Sequence, residues 1–244
     1  MIKIIKFQNI NFNNFENQKF NEIIKKKGYY TFPSAPGIAS INSSKEYYHS
    51  LKKAHYVFFD SGFFVLLLRI FKNIKVSKFS GYKFLFLFFI FLKLNKNKSV
   101  FCIDPNNIYS KSNKHFLKKL GLKKIYSYIA PKYNSKNLTD NKLIKQINKT
   151  KPDFVLTNIG GGTQEILAFR LNKKLKRKTI ILCTGGAISF FTGDQAPINR
   201  IIDKFYLGWL VRMIFNPFIF TKRYFYALKL IPMVLLNKIK IQNE

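Results

Sequence analysis

Three short stretches of this 244-residue chain place residue types at spacings that suit chemistry. The first is Phe58-Phe59-Asp60-Ser61-Gly62, where a carboxylate follows an apolar pair and precedes a small residue and a glycine. A carboxylate so placed can face a ligand and act as general base; it can equally cap a helix by accepting backbone N–H bonds. Acids are scarce, 11 against 43 Lys or Arg, and Glu16, Glu22, Glu46, Asp140 and Glu244 lie in polar segments, so few carboxylates compete with Asp60. The second stretch, Gly160-Gly161-Gly162-Thr163-Gln164-Glu165, follows the apolar Phe154–Asn158 and enters the helix-like Ile166–Leu175. Open backbone N–H groups and the positive end of a helix suit an anion such as a diphosphate; the plainer reading is a tight turn with a capping threonine. The pattern is neither GxGxxG nor GxxxxGK[ST], so NAD and ATP are not indicated. The third stretch runs from Thr184-Gly185-Gly186-Ala187 through Phe190, Gly193 and Ala196-Pro197 toward Trp209, Arg212, Lys222 and Arg223.

These residues need a frame. Short apolar runs at Tyr29–Phe32, Tyr56–Phe59, Ser99–Ile103, Ile125–Ile129, Phe154–Asn158 and Thr179–Cys183 alternate with longer amphipathic stretches, and Gly, Pro or Asp follows most of them. That alternation predicts an α/β, Rossmann-like domain with a largely parallel sheet and helices on both faces, with ligands outside the carboxyl ends of the strands. The core is expected over 1–195 and a basic-aromatic, membrane-docking helical appendage over 196–244. Phe84–Leu92, flanked by Lys83 and Lys93, is too short to span a bilayer and reads as a buried helix or strand, with a segment dipping into the lipid interface as the alternative. Lys132–Lys151 reads as a polar connector.

The formal net charge of +32 admits nucleic acid or an anionic membrane surface as partner. Only six of the basic residues are Arg, and the aromatics sit mostly in apolar runs, which weakens the nucleic-acid reading. Between Trp209 and Lys240, aromatic side chains mix with Arg212, Lys222, Arg223, Lys229, Lys238 and Lys240, as suits a headgroup interface; a closing core helix with a solvated basic face is the alternative. The start, Met1 to Phe7, carries no secretory signal pattern. Cys102 and Cys183 are too few for a disulfide framework or a zinc site, and His49, His55 and His115 lack ligand spacing, so no metal site is expected.

In its later half the chain resembles the WecG/TagA/CpsF glycosyltransferases. The resemblance is carried by Gln164-Glu165 after the glycine turn, Gly185-Gly186-Ala187 with Phe190 and Gly193, Ala196-Pro197, Leu207 with Trp209-Leu210 and Arg212, Pro217, and Arg223-Tyr224. Earlier, Asp60-Ser61-Gly62 falls where that family has its Asp-Gly, Lys78 stands where an Arg precedes Thr-Gly or Ser-Gly, and Ser34 takes the place of an Asn. The resemblance implies an inverting transfer, without obligatory metal or other cofactor, of a sugar from a UDP-sugar to a polyprenyl-diphosphate-linked saccharide. N-acetylmannosamine or a related hexose is the implied sugar, and a peripheral position on the inner face of the cell membrane is the implied location. It implies Asp60 as base, a donor site at Gly160, Gly161, Gly162, Thr163, Gln164, Glu165, Gly185, Gly186, Ser34 and Lys78, and an acceptor and membrane region at Trp209, Arg212, Lys222 and Arg223. Lys78 and Arg212 would neutralise leaving-group charge, or be plain surface cations. A homo-oligomer is compatible with all of this. The competing classes are a catalytically silent scaffold relative and, further off, a basic nucleic-acid-binding protein.

Overall fold

The structure, a computed structural model, describes residues 3–15, 17–134, 138–194 and 217–243. Strands β1 (Lys3–Phe7) and β2 (Ile10–Asn14) form a hairpin around Gln8 and Asn9, both with positive φ, the backbone that a two-residue turn needs to match strand twist. A short helix α1 (Phe20–Ile23) leads to β3 (Gly28–Thr31), followed by α2 (Ala35–Ala39), α3 (Lys45–Lys52) and β4 (Tyr56–Val57). Two apolar helices, α4 (Gly62–Lys72) and α5 (Gly81–Leu94), precede β5 (Ser99–Asp104), α6 (Asn107–Lys119) and β6 (Lys124–Ile129). Then come α7 (Asn141–Thr150), β7 (Phe154–Thr157), α8 (Thr163–Lys174), β8 (Ile180–Cys183) and the short α9 (Ser189–Thr192). The chain closes with α10 (Pro217–Ala227), α11 (Leu230–Leu236) and β9 (Lys240–Asn243).

The six apolar runs become the six strands of one parallel sheet, ordered β4-β3-β8-β7-β5-β6. The chain is therefore an α/β protein with helices on both faces of a parallel sheet. Successive side chains of a strand point to opposite faces, and the core divides accordingly. Tyr29, Phe101, Val155 and Ile181 pack with Leu51, Phe64, Leu68, Leu143 and Leu171 on one face. Tyr30, Tyr56, Cys102, Phe154 and Leu182 pack with Phe84, Phe88, Leu92 and Leu117 on the other. The Phe84–Leu92 run lies within α5, a buried helix: Phe84, Leu85, Phe88, Phe89 and Leu92 recur at helical spacing on its covered side, and Phe88 meets Phe154 edge-on with centroids 4.9 Å apart.

Two elements depart from the expectation. The reach read as a polar connector contains α7, because Leu143 and Ile147, four residues apart, bury one face of it while Asp140 Oδ1 accepts from Leu143 N–H at its start. A separate antiparallel sheet, β2-β1-β9, was not expected at all; it abuts the main sheet where Asn13 Oδ1 accepts from Val57 N–H at 3.0 Å. Through β9 the C-terminus pairs with β1, and Ala227, Leu230 and Val234 join the same core as α4 and α8. The expected boundary near residue 195 lies outside the described residues.

Candidate functional site

The carboxyl ends of β4, β3, β8, β7 and β5 open, in that order, onto one cavity of about 900 Å³. Its length is set by the sheet: four strand spacings separate β4 from β5, about 19 Å at ~4.8 Å each.

At the β4 end lies Asp60, half-buried between two helix starts. It does not cap its own helix. That task falls to Ser61, whose hydroxyl accepts from Phe64 N–H at 3.1 Å. Asp60 instead accepts, through Oδ1, the N–H of Gly81 at the start of α5, at 2.8 Å, where the partial positive charge of the helix end favours a carboxylate. Ser80, the cap of α5, sits beside it in the wall, as does the half-buried Lys78. From β3 comes Ser34, at the N-cap position of α2 with no capping hydrogen bond from its side chain.

The centre is built by the β7–α8 turn. Gly162 has φ +88° and ψ −59°, a conformation that a side chain strains. A Cβ at Gly160, Gly161 or Gly162 would meet nothing within 4 Å, so the backbone faces open space. The Gly162 N–H, however, is held at 2.6 Å by Glu165 Oε2. Glu165 is buried, and that burial pushes its carboxyl up to about 7, against the pull of hydrogen bonds from Gln164 and the turn backbone. Gln164 is a strut: Nε2 donates to Glu165 Oε1 and Cys183 O, while Oε1 accepts from Gly185 N–H at 2.9 Å and Thr157 Oγ1 at 3.3 Å. It ties β7 to the β8 turn, where Gly185 has φ +56°. Gly186 lines the cavity beside it.

The structure thus brings Asp60, Ser34, Lys78, Gly160, Gly161, Gly162, Gln164, Glu165, Gly185, Gly186 and Arg223 to one cavity. Thr163 begins α8 without being part of its lining, and Lys222 is exposed on α10 away from the wall that Arg223 joins. Trp209 and Arg212 lie outside the described residues. The sequence reading missed Asp104, Asn113 and Asn158 at the β5 end. Asp104 is wholly buried, and both amides donate to its Oδ1, each at 2.7 Å. Burial raises its carboxyl above the usual range, with Asn158, Asn113 and Ser110 pulling the other way. The signal was present, since Asp104 directly follows one of the apolar runs whose ends were expected to carry function. His55 Nδ1 accepts from Tyr29 N–H at 3.3 Å, a structural task. Among the described residues no three His, Cys, Asp or Glu side chains gather as metal ligands, and both cysteines are buried and free.

One wall of the cavity is apolar and reaches the surface. Leu66 of α4 and Leu228, just past α10, line the cavity and are about half exposed. Around them α4 exposes Ile70 and Phe71, α10 exposes Phe218 (97%) and Phe225, and α11 exposes Leu235 and Leu236. Lys222, Arg223 and Lys229 stand among these side chains on α10 and the turn after it. Among the described residues no helix is long and apolar enough to cross a membrane.

The family model for the glycosyl transferase WecG/TagA/CpsF family matches residues 2–244 of the chain. No curated protein matches it.

Proposed function

The chain belongs to that family and is a glycosyl transferase; from this premise we propose that it moves a sugar from a UDP-sugar to a polyprenyl-diphosphate-linked saccharide in cell-surface polysaccharide synthesis. One observation carries the proposal: a carboxylate, Asp60, and an open glycine turn at a helix start share a single cavity with Lys78 and Arg223. The acceptor hydroxyl approaches Asp60, which takes its proton as the oxygen attacks the anomeric carbon. The bond from that carbon to the UDP oxygen breaks on the opposite face, so configuration inverts. Negative charge gathers on the departing diphosphate, and Lys78, Arg223 and the exposed amides of Gly160 and Gly161 are the groups placed to offset it. The Gly162 amide is already held by Glu165, so the donor role of Gln164 and Glu165 is to shape the turn.

The lipid part of the acceptor accounts for the apolar wall. A chain entering between Leu66 and Leu228 would run out over Ile70, Phe71 and Phe225, and the neighbouring cations suit acidic headgroups. This makes the protein peripheral on the membrane, docked by α4, α10 and α11 together. An N-acetylmannosamine-like hexose is the first donor to try. Purified full-length chain, given a polyprenyl-diphosphate-linked acceptor and a panel of UDP-sugars, is expected to release UDP with at least one of them. Absence of UDP release with every donor on acceptor-loaded vesicles refutes the proposal.

A further inference from the structure

Asp104 ends β5 and Asn158 follows β7, neighbouring strands whose onward connections leave in opposite directions, from β5 outward to β6 and from β7 inward to β8. Such a switch in strand order opens a crevice in which ligands of α/β sheets bind. Both Asn113 and Asn158 point their amide nitrogens at the same carboxylate oxygen, Asp104 Oδ1. A carboxylate only accepts, so it fixes each amide nitrogen-inward and leaves each amide oxygen facing away from it. Those oxygens, Asn113 Oδ1 and Asn158 Oδ1, have no hydrogen-bond partner, and neither does Thr184 Oγ1, just past β8; Asp104 Oδ2, set back from the cavity, is the fourth such atom among the described residues. Asn113, Asn158 and Thr184 all line the cavity while being more than nine-tenths buried. Unpartnered buried polar atoms are costly enough that folded proteins keep few of them, and a group of three on one cavity calls for an absent partner. The partner must bring donors, since the two amides offer acceptors.

Position narrows the choice. With the reacting sugar at Asp60 and the diphosphate over Gly160 and Gly161, the rest of a nucleotide donor extends along the strand ends toward β5. Asn158 stands two residues before Gly160, so the first group beyond the diphosphate meets it. We propose that Asn113 and Asn158 accept hydrogen bonds from the ribose hydroxyls of the donor nucleoside, and that Asp104 is the positioning residue that holds both amides in the receiving orientation. This inference rests on the UDP-sugar reading above and adds the residues that read its nucleoside.

The test compares UDP, 2′-deoxy-UDP and 3′-deoxy-UDP by titration calorimetry on the full chain. Wild type is expected to prefer UDP over at least one deoxy form by about 10- to 100-fold. Asn158→Ala and Asn113→Ala should each bring that ratio toward one. Asp104→Leu should collapse it although both asparagines remain, and Asp104→Asn, which keeps an acceptor oxygen, should restore part of it. A role confined to stability would lower the melting temperature of these variants without moving the ratio. Equal wild-type affinity for UDP and both deoxy forms overturns the ribose assignment and leaves the donor reading standing. Selectivity that emerges only among UDP-sugars would assign the hydroxyls to the donor sugar and likewise overturn it. No binding of UDP or either analogue removes both readings. Should Asp104→Leu fail to fold, the wild-type ratio and the two asparagine variants still decide.

Discussion

Asp60 and Asp104 both stand at the carboxyl end of a parallel strand, four strand spacings apart, the first lining the cavity and the second buried behind Asn113 and Asn158, which line it, and they are held differently. Asp60 is half-buried on the cavity wall and accepts from a helix-start amide. Asp104 is wholly buried, and one of its oxygens is shared by two side-chain amides. The same residue type at equivalent strand ends thus faces the cavity at one place, where the proposed mechanism needs a base, and orients two side-chain amides at the other. What separates them is the neighbouring helix: α5 offers Asp60 a backbone donor, whereas α6 offers Asp104 the Asn113 side chain.

The largest effect that tests this contrast is on turnover. Asp60→Asn should lower UDP release by about 100- to 10,000-fold, the usual worth of a positioned base, with UDP affinity nearly unchanged in calorimetry; a variant that keeps wild-type turnover would place the base elsewhere. Next comes Glu165, the acid midway along the cavity. Its folded-state pKa, raised from 4.5 to about 7, means that the folded protein holds a proton that the unfolded chain has lost between those values, so stability falls as pH rises through that window. Relative to Glu165→Gln, wild type should lose about 3 kcal/mol of unfolding free energy from pH 4.5 to pH 7. Taking the difference between the two proteins cancels Asp104, raised like Glu165, and His55, lowered by burial. A pH-independent difference in chemical denaturation would show that Glu165 titrates in the folded protein as it does in the unfolded chain.

Smaller effects separate the turn from its ligand. Gly162→Ala should cost about 1–2 kcal/mol of stability, because φ +88° strains any side chain. Gly161→Val meets open space and should leave stability within about 0.5 kcal/mol, yet weaken UDP binding; equal affinity in both proteins would move the diphosphate off this turn. On the outer face, Phe218→Ser with Phe225→Ser should reduce flotation with anionic liposomes while the melting temperature holds, since neither ring is part of the core. Unchanged flotation would leave the apolar face without its membrane role.

The frame was legible because a parallel strand buried on both faces is a continuous apolar run, and Gly, Pro or Asp follows most of the six runs directly or within two residues. The small sheet was hidden by Ile4-Ile5, adjacent apolar residues that blur the alternation, and by a Gln8-Asn9 turn without glycine. Its third strand lies at the opposite end of the sequence, a pairing no local pattern displays. At the site the same division holds. Asp60 and the glycine turn each announce themselves within a few consecutive residues. The Asp104 cluster draws on a helix nine residues away and a strand end 54 residues away, so its polar atoms acquire meaning only when the sheet brings them together. Gln164 and Glu165 were visible as a pair, while the bonds that commit them to the turn became apparent only in the fold.

The most direct measurement is the anomeric configuration of the product, followed by NMR, together with the UDP released when the full chain acts on the donor that it turns over. One UDP per sugar transferred and a product inverted relative to the donor are expected, as attack assisted by Asp60 from the face opposite the diphosphate requires. A product of retained configuration, or transfer without UDP, would contradict this mechanism.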